Sequence, residues 1–139
     1  MNVDVSSLWI EKEETGQVLV VDDSSLSRAL VVAFVEHLGH RTAAVDNGRD
    51  AVAAIETRDY SLVLMDIEMP IMDGFCAIAR IRAREQVGRH LPVIAMTGHA
   101  RADLRSRALA AGFDDVLEKP FEIERLRETI AGQLGRKGP

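Results

Sequence analysis

The sequence predicts an α/β domain: five strand-then-helix repeats building one doubly wound, five-stranded parallel sheet with helices on both faces. Three observations predict it. The apolar runs are short, nearly continuous and regularly spaced, as in strands buried on both faces. Segments of helical periodicity lie between them. The chain has 139 residues, 47% hydrophobic and 28% charged, which suits one globular domain with its own core.

Each element has its own signal. Gln17–Val21 (QVLVV) is a β-branched run of strand length. Ser24 or Ser25 can cap a helix that runs to Leu38 and stops at Gly39. The inward stripe expected of that helix is Leu30, Val31, Phe34, Val35 and Leu38, leaving Leu26, Ala29, Val32 and Ala33 facing out. Arg41–Val45 is a weaker strand, followed by Asp46, Asn47 and Gly48 as a turn and a helix over 49–57. Residues 61–65 (SLVLM) form a strong strand. A helix over 75–84 follows, with Phe75, Ile78 and Ile81 in line and Cys76 expected as a small buried hydrophobe. Residues 91–96 (LPVIAM) form the fourth strand, and a helix over 101–111 ends at Gly112. Asp115–Glu118 is a short fifth strand. The last helix carries Ile123, Leu126, Ile130 and Leu134 along one side.

Composition excludes several classes. No run of about 18 apolar residues exists to cross a bilayer. The start, MNVDVSSLWIEKEE, lacks the basic and apolar regions of a secretory signal. Cys76 is the single cysteine, so no internal disulfide can form, which points to a reducing cytoplasm. A net charge of −5 argues against direct nucleic-acid binding. The expected organisation is an N-terminal extension over 1–14, a domain over 15–135 and a basic tail over 136–139. Leu8, Trp9 and Ile10 make an apolar knot in the extension, followed by the charge run Glu11 to Glu14. That knot folds onto the domain surface or meets a partner or second copy. Met65, Met69, Met72 and Met96 read as core filler.

In open α/β sheets, ligands bind outside the carboxyl ends of the strands. Asp22 and Asp23 follow the first strand, Asp66 the third, Thr97 the fourth, and Lys119 with Pro120 the fifth. Singly, each residue reads as a helix cap, a turn former or a solvated charge. Jointly, three carboxylates, a hydroxyl and an ammonium converge on one edge. Two carboxylates about 5 Å apart repel by roughly 3 kcal/mol at an effective dielectric near 20. Lys119 supplies one compensating charge. A hard divalent ion, Mg²⁺ or Mn²⁺, would supply the rest through all-oxygen ligation.

These residues carry a resemblance. VLVVDD at 18–23, LVLMDIEMPIMDG at 62–74, LPVIAMTGHA at 91–100 and LEKPF at 117–121 make the chain similar to receiver domains of two-component response regulators. The wording is nearest to receivers of hybrid sensor kinases, and the resemblance covers about residues 16 to 134. It implies a flavodoxin-like sheet with strand order 2-1-3-4-5. It implies Asp66 as phospho-acceptor, Thr97 and Lys119 as phosphoryl contacts, and Mg²⁺ held by Asp22, Asp23, Asp66 and the backbone carbonyl of Glu68. It implies a cis Lys119–Pro120 bond, and a phosphohistidine donor on a histidine kinase or histidine phosphotransfer protein. The chain is then a self-modifying acceptor, not a turnover enzyme. With an initial Met and no kinase or output region, a single-domain cytoplasmic regulator is expected, acting on a downstream protein target.

Two departures from the family pattern matter. Val116 stands three residues before Lys119, where relatives carry a switch aromatic. Glu68 and His99 occupy positions that tune phosphoryl lifetime in the family. With a valine there, the switch is expected to travel through Gly98, His99 and the fourth helix. The output or homodimer face is then the fourth helix, fifth strand and fifth helix, with Arg101, Arg105 and Arg125 as contacts. Other readings are a Mg²⁺-dependent aspartyl phosphatase, a receiver-like module that signals without phosphorylation, and a phosphate sink or shuttle. The phosphatase reading needs an acid/base Asp where Glu68 stands, and a substrate cap domain.

Overall fold

The computed structural model describes residues 16–99 and 101–135. The expected extension with Trp9, the basic tail and Ala100 lie outside the described residues. The strands are β1 (Gln17–Val21), β2 (Arg41–Val45), β3 (Leu62–Asp66), β4 (Val93–Thr97) and β5 (Asp115–Glu118). The helices are α1 (Ser25–His37), α2 (Gly48–Thr57), α3 (Gly74–Arg84), α4 (Leu104–Ala111) and α5 (Ile123–Gly135). All strand pairings are parallel, in the order β2-β1-β3-β4-β5.

Strand alternation divides the core in two. Val18, Val20, Leu62, Leu64, Ile94, Met96 and Leu117 pack with α1 and α5 through Val31, Val35, Leu126 and Ile130. Leu19, Val21, Val63, Met65, Val93 and Ala95 pack with α2, α3 and α4 through Val52, Ile78, Ile81 and Leu104. Period-two side chains on a sheet covered on both faces explain why these runs are apolar throughout. The methionines assigned to filler behave so: Met65, Met69 and Met96 are buried, and Met72 packs against the core.

Helix starts follow side-chain caps. Ser24 accepts from the Ser27 amide, Asn47 from the Asp50 amide and Asp73 from the Cys76 amide. Asn47 is thus a buried cap rather than a plain turn residue. The fourth helix begins at Leu104, three residues later than the pattern suggested; Asp103 makes no side-chain cap bond.

Two expectations about facing are corrected. On α1, Leu30 is 53% exposed, whereas Val32 is half-buried against the α1–α5 side of the core. The outward strip is therefore Leu26, Ala29, Leu30 and Ala33. The rotation that turns Val31, Val32 and Val35 inward also brings Ser27 and Arg28 to Asp22, which both bond. Cys76 is exposed, not buried. It lies off the face of α3 that buries Ala77, Ile78 and Ile81.

Arg82 closes the amino-terminal edge of the sheet. It donates to Gly112 O (2.9 Å), Leu91 O (2.8 Å), Glu85 (2.6 Å) and Asp114 (2.9 Å). Glu85 in turn accepts from the Leu91 amide and Asp114 from the Val93 amide.

Candidate functional site

Register builds the site. Val21 pairs with Met65, so the next residues, Asp22 and Asp66, leave neighbouring strands side by side. Asp66 pairs with Met96, which puts Thr97 one step beyond. Thr97 pairs with Glu118, which puts Lys119 one step further. Adjacent strands lie about 4.8 Å apart, so side chains from three strand ends meet within hydrogen-bond reach.

Asp22 is fully buried. Its Oδ1 accepts the Ser24 amide at 3.0 Å, and its Oδ2 accepts Ser27 Oγ at 2.5 Å and Lys119 Nζ at 2.8 Å. Arg28 Nη1 donates to the Asp22 carbonyl at 2.8 Å. Asp66 Oδ1 accepts the Glu68 amide at 2.8 Å, and Oδ2 accepts Lys119 Nζ at 3.1 Å. Thr97 is fully buried; its Oγ1 accepts the His99 amide at 3.0 Å. The Lys119 amide donates to Thr97 O at 2.7 Å, and the Lys119–Pro120 bond is cis. Asp23 is exposed at the rim.

Electrostatics separate the two buried acids. Burial pushes the Asp22 carboxyl up, but bonds from Lys119, Ser27 and Ser24 outweigh it and leave the group below the usual carboxylate range. Burial pushes the Asp66 carboxyl up as well. There the Glu68 amide and Lys119 only partly offset it, the Asp22 charge adds to it, and the group stays raised. For Lys119, burial favours the neutral amine, but Asp22 and Asp66 win and hold the ammonium charged.

Asp22, Asp23 and Asp66 offer ligand oxygens that lie within 4.8 Å of one another. With Lys119 counted, ionised carboxylates leave two negative charges uncompensated. An all-oxygen donor set with that charge, open on the Asp23 side, fits a hard divalent cation. The donor set was legible in the sequence. Ser27 and Arg28, which orient Asp22, were not singled out there; a hydroxyl one turn into a helix that follows an acidic pair could have signalled them. The Glu68–His99 contact across the mouth, 3.1 Å from His99 Nδ1 to Glu68 Oε2, also went unforeseen.

A doubly wound sheet with an acidic, cation-demanding pocket and one ammonium at the carboxyl edge defines a phosphoryl-handling α/β domain. Comparison with known proteins narrows the class. The family model described as "Response regulator receiver domain" matches residues 18–131. Sensor histidine kinase GacS of Pseudomonas protegens is 39% identical over 132 residues, covering 90% of this chain and 14% of that protein. Sensor histidine kinase RcsC of Salmonella typhi is 36% identical over 114 residues, covering 82% of this chain and 12% of that protein. Among solved structures, the receiver domain of sensor histidine kinase PA1611 from Pseudomonas aeruginosa superposes with a TM-score of 0.79. It is 35% identical and covers 86% of this chain and 98% of that one, and its structure has a magnesium ion in the active site cleft. Vibrio cholerae chemotaxis protein CheY4 is 28% identical with a TM-score of 0.79, covering 86% of this chain and 98% of that one. The chain belongs to the response regulator receiver family. It spans about one seventh to one eighth of the length of these sensor kinases.

Proposed function

We propose that the chain accepts a phosphoryl group on Asp66 from a phosphohistidine, borne by a histidine kinase or histidine phosphotransfer protein, and signals by protein contact. The carrying observation is Asp66 itself: a buried carboxylate with raised proton affinity, bonded by Lys119 and flanked by Asp22 and Asp23.

In the transfer, an Asp66 carboxylate oxygen attacks phosphorus in line with the P–N bond. An O–P bond forms and the P–N bond breaks. The electron pair stays on the imidazole nitrogen, which takes a proton from solvent. Asp22, Asp23, Asp66 and the Glu68 carbonyl are the residues to hold Mg²⁺, with Mn²⁺ as the alternative. That ion would neutralise charge on the phosphoryl oxygens. Lys119 leaves its shared position between the acids to pair with a phosphoryl oxygen, and the Thr97 hydroxyl donates to another. Water later attacks the acyl phosphate, returning the Asp66 carboxylate and inorganic phosphate. The chain is then an acceptor that resets itself, in the cytoplasm.

The exposed α1 strip of Leu26, Ala29, Leu30 and Ala33 follows the Asp22–Ser24 turn beside the pocket and suits docking of the protein donor. The output or homodimer face is α4, β5 and α5. A groove of about 440 Å³ lies there, lined by Arg101, Arg105, Val116, Phe121 and Arg125. Val116 favours a second reading, a phosphate sink or shuttle, because a valine cannot carry the aromatic rotation used by relatives.

The test is labelling with acetyl phosphate followed by intact mass. One added phosphoryl group is expected, not formed when EDTA replaces Mg²⁺ and absent from Asp66→Asn. An unlabelled wild-type chain in Mg²⁺, or a labelled Asp66→Asn chain, would sink the proposal.

A further inference from the structure

Helix α4 is lightly held. It has 8 residues, its buried ones are Leu104 and Ala108, and Asp103 gives it no side-chain cap bond. A groove of about 750 Å³ runs along its start, with Ile67, Met69 and Phe75 on one side and His99, Leu104 and Arg107 on the other. The Glu68–His99 contact crosses that groove at the mouth. Arg107 crosses it along α4: its guanidinium carbon stands 5.6 Å from the centroid of the Phe75 ring. That is within reach of a cation–π contact.

Phe75 is fixed on the acceptor side of the groove. The Gly74 amide donates to Ile67 O at 3.2 Å, and a Cβ on Gly74 would fall 2.6 Å from Ile67 Cα. Ile67 follows Asp66, so the backbone that carries Phe75 is pressed against the backbone that carries the acceptor. The buried Phe113 meets Phe75 edge to face, with 5.9 Å between centroids and 87° between planes. Arg107 has no such anchor. Its charged partner among the described residues is Asp103 of its own helix, at 3.9 Å, and both side chains are more than half exposed. Such a pair is worth little in water. The Phe75 ring is therefore a fixed post, and Arg107 is the α4 side chain that rests on it.

We infer that the stack of Arg107 on Phe75 is a latch: it holds α4 in the position that goes with a Thr97 hydroxyl bonded to the His99 amide, and it gives way when Thr97 turns to a phosphoryl group on Asp66. The latch rests on the acceptor reading for Asp66. The pull reaches α4 because the segment after Thr97 leads into it. Val116 offers no ring to move with Thr97, so the aromatic that α4 answers to is Phe75, on the acceptor side. Coupling of this kind is reciprocal. A contact that opposes the phosphoryl-bound position of α4 also weakens phosphoryl binding, and its loss strengthens it.

The test uses Arg107→Gln, Phe75→Leu and the double variant, each in the full chain. Without any phosphoryl group, amides along 104–111 should exchange faster in each variant than in the unaltered chain, because α4 opens more readily. Beryllofluoride with Mg²⁺, a phosphoryl mimic, should bind each variant about two- to fivefold more tightly, the factor for a cation–π contact at an exposed site. Arg107→Gln should have no further effect in the Phe75→Leu background, since the contact is already gone. Arg107 is exposed, so Arg107→Gln alone decides the matter if Phe75→Leu misfolds. Unchanged exchange or unchanged mimic affinity in Arg107→Gln would overturn the latch. An effect of Arg107→Gln that persists undiminished in the Phe75→Leu background would overturn it too. An unaltered chain that neither takes label from acetyl phosphate nor binds the mimic would defeat the acceptor reading, and the latch with it. A labelled chain whose variants behave like the unaltered one would defeat the latch alone.

Discussion

Lys119 Nζ lies 2.8 Å from Asp22 Oδ2, nearer than the 3.1 Å that separates it from Asp66 Oδ2. The ammonium thus bonds both buried acids, and on the roles proposed for them its loss affects metal binding and labelling in opposite ways. Lys119→Met should bind Mg²⁺ at least as tightly as the unaltered chain, because three acids lose their competing cation. Its labelling by acetyl phosphate should slow roughly 100-fold, the usual effect of removing one charge-stabilising contact. A Mg²⁺ titration alongside the labelling rate separates the two. Loss of both together would mean that Lys119 only maintains the pocket.

Asp66→Asn should melt at a higher temperature than the unaltered chain in the absence of divalent ions. The sign follows from the raised proton affinity of Asp66. An acid whose proton affinity rises on folding contributes stability only while protonated, and loses that contribution as pH rises through its folded value. At neutral pH the ionised group strains the fold, and the amide does not. Asp22 has the opposite sign: its lowered value gives stability that is lost as pH falls through the folded value. Melts at pH 7 with EDTA and with saturating Mg²⁺ test this. A gap that does not shrink or reverse with Mg²⁺ would argue against the acid cluster as its source.

Leu26 is 81% exposed and Leu30 53%. Leu26→Asp and Leu30→Asp should slow transfer from a phosphohistidine protein by tenfold or more, the effect of losing a contact worth above about 1.4 kcal/mol. Labelling by acetyl phosphate should be unchanged, because a small donor never touches α1. Equal slowing with both donors would show damage to the pocket instead.

The Thr97 hydroxyl is turned to its own loop, accepting the His99 amide. Thr97 shares strand parity with Val93 and Ala95, on the face covered by α2, α3 and α4. On the proposed role, a Thr97 hydroxyl that swings toward a phosphoryl group on Asp66 would lengthen or lose its bond from the His99 amide. Amide exchange at His99 and along 101–107 should therefore speed up with a phosphoryl mimic on Asp66. Exchange changes limited to residues around Asp22 and Asp66 would favour the sink or shuttle reading.

Arg82→Ala should destabilise the chain by about 2 kcal/mol in urea unfolding, since Glu85 and Asp114 keep their charges but lose their shared cation. The figure is set below that of fully buried pairs because the side chains retain some solvent contact. Labelling of Asp66 should be unaffected, because Arg82 sits at the other end of the sheet.

The sequence by itself determined the element order, the parallel sheet and the acids at its carboxyl edge. A strand buried on both faces needs an unbroken apolar run, and an acid at its end marks where burial stops; QVLVV followed by Asp22-Asp23 states both. Tertiary structure alone decided which way α1 turned. Leu30 and Val32 are alike in hydropathy and both fit an apolar stripe; the rotation that packs Val31 and Val35 into the core and brings Ser27 and Arg28 to Asp22 is the one that takes Val32 in and leaves Leu30 out. It decided that Cys76 faces water, since one small residue cannot set a helix's rotation against Ala77, Ile78 and Ile81. It also decided which charges pair. The Lys119 bridge joins residues 97 and 53 positions apart, and the Glu68–His99 contact joins residues 31 apart. Local pattern carries no information on such distances; strand register supplies it.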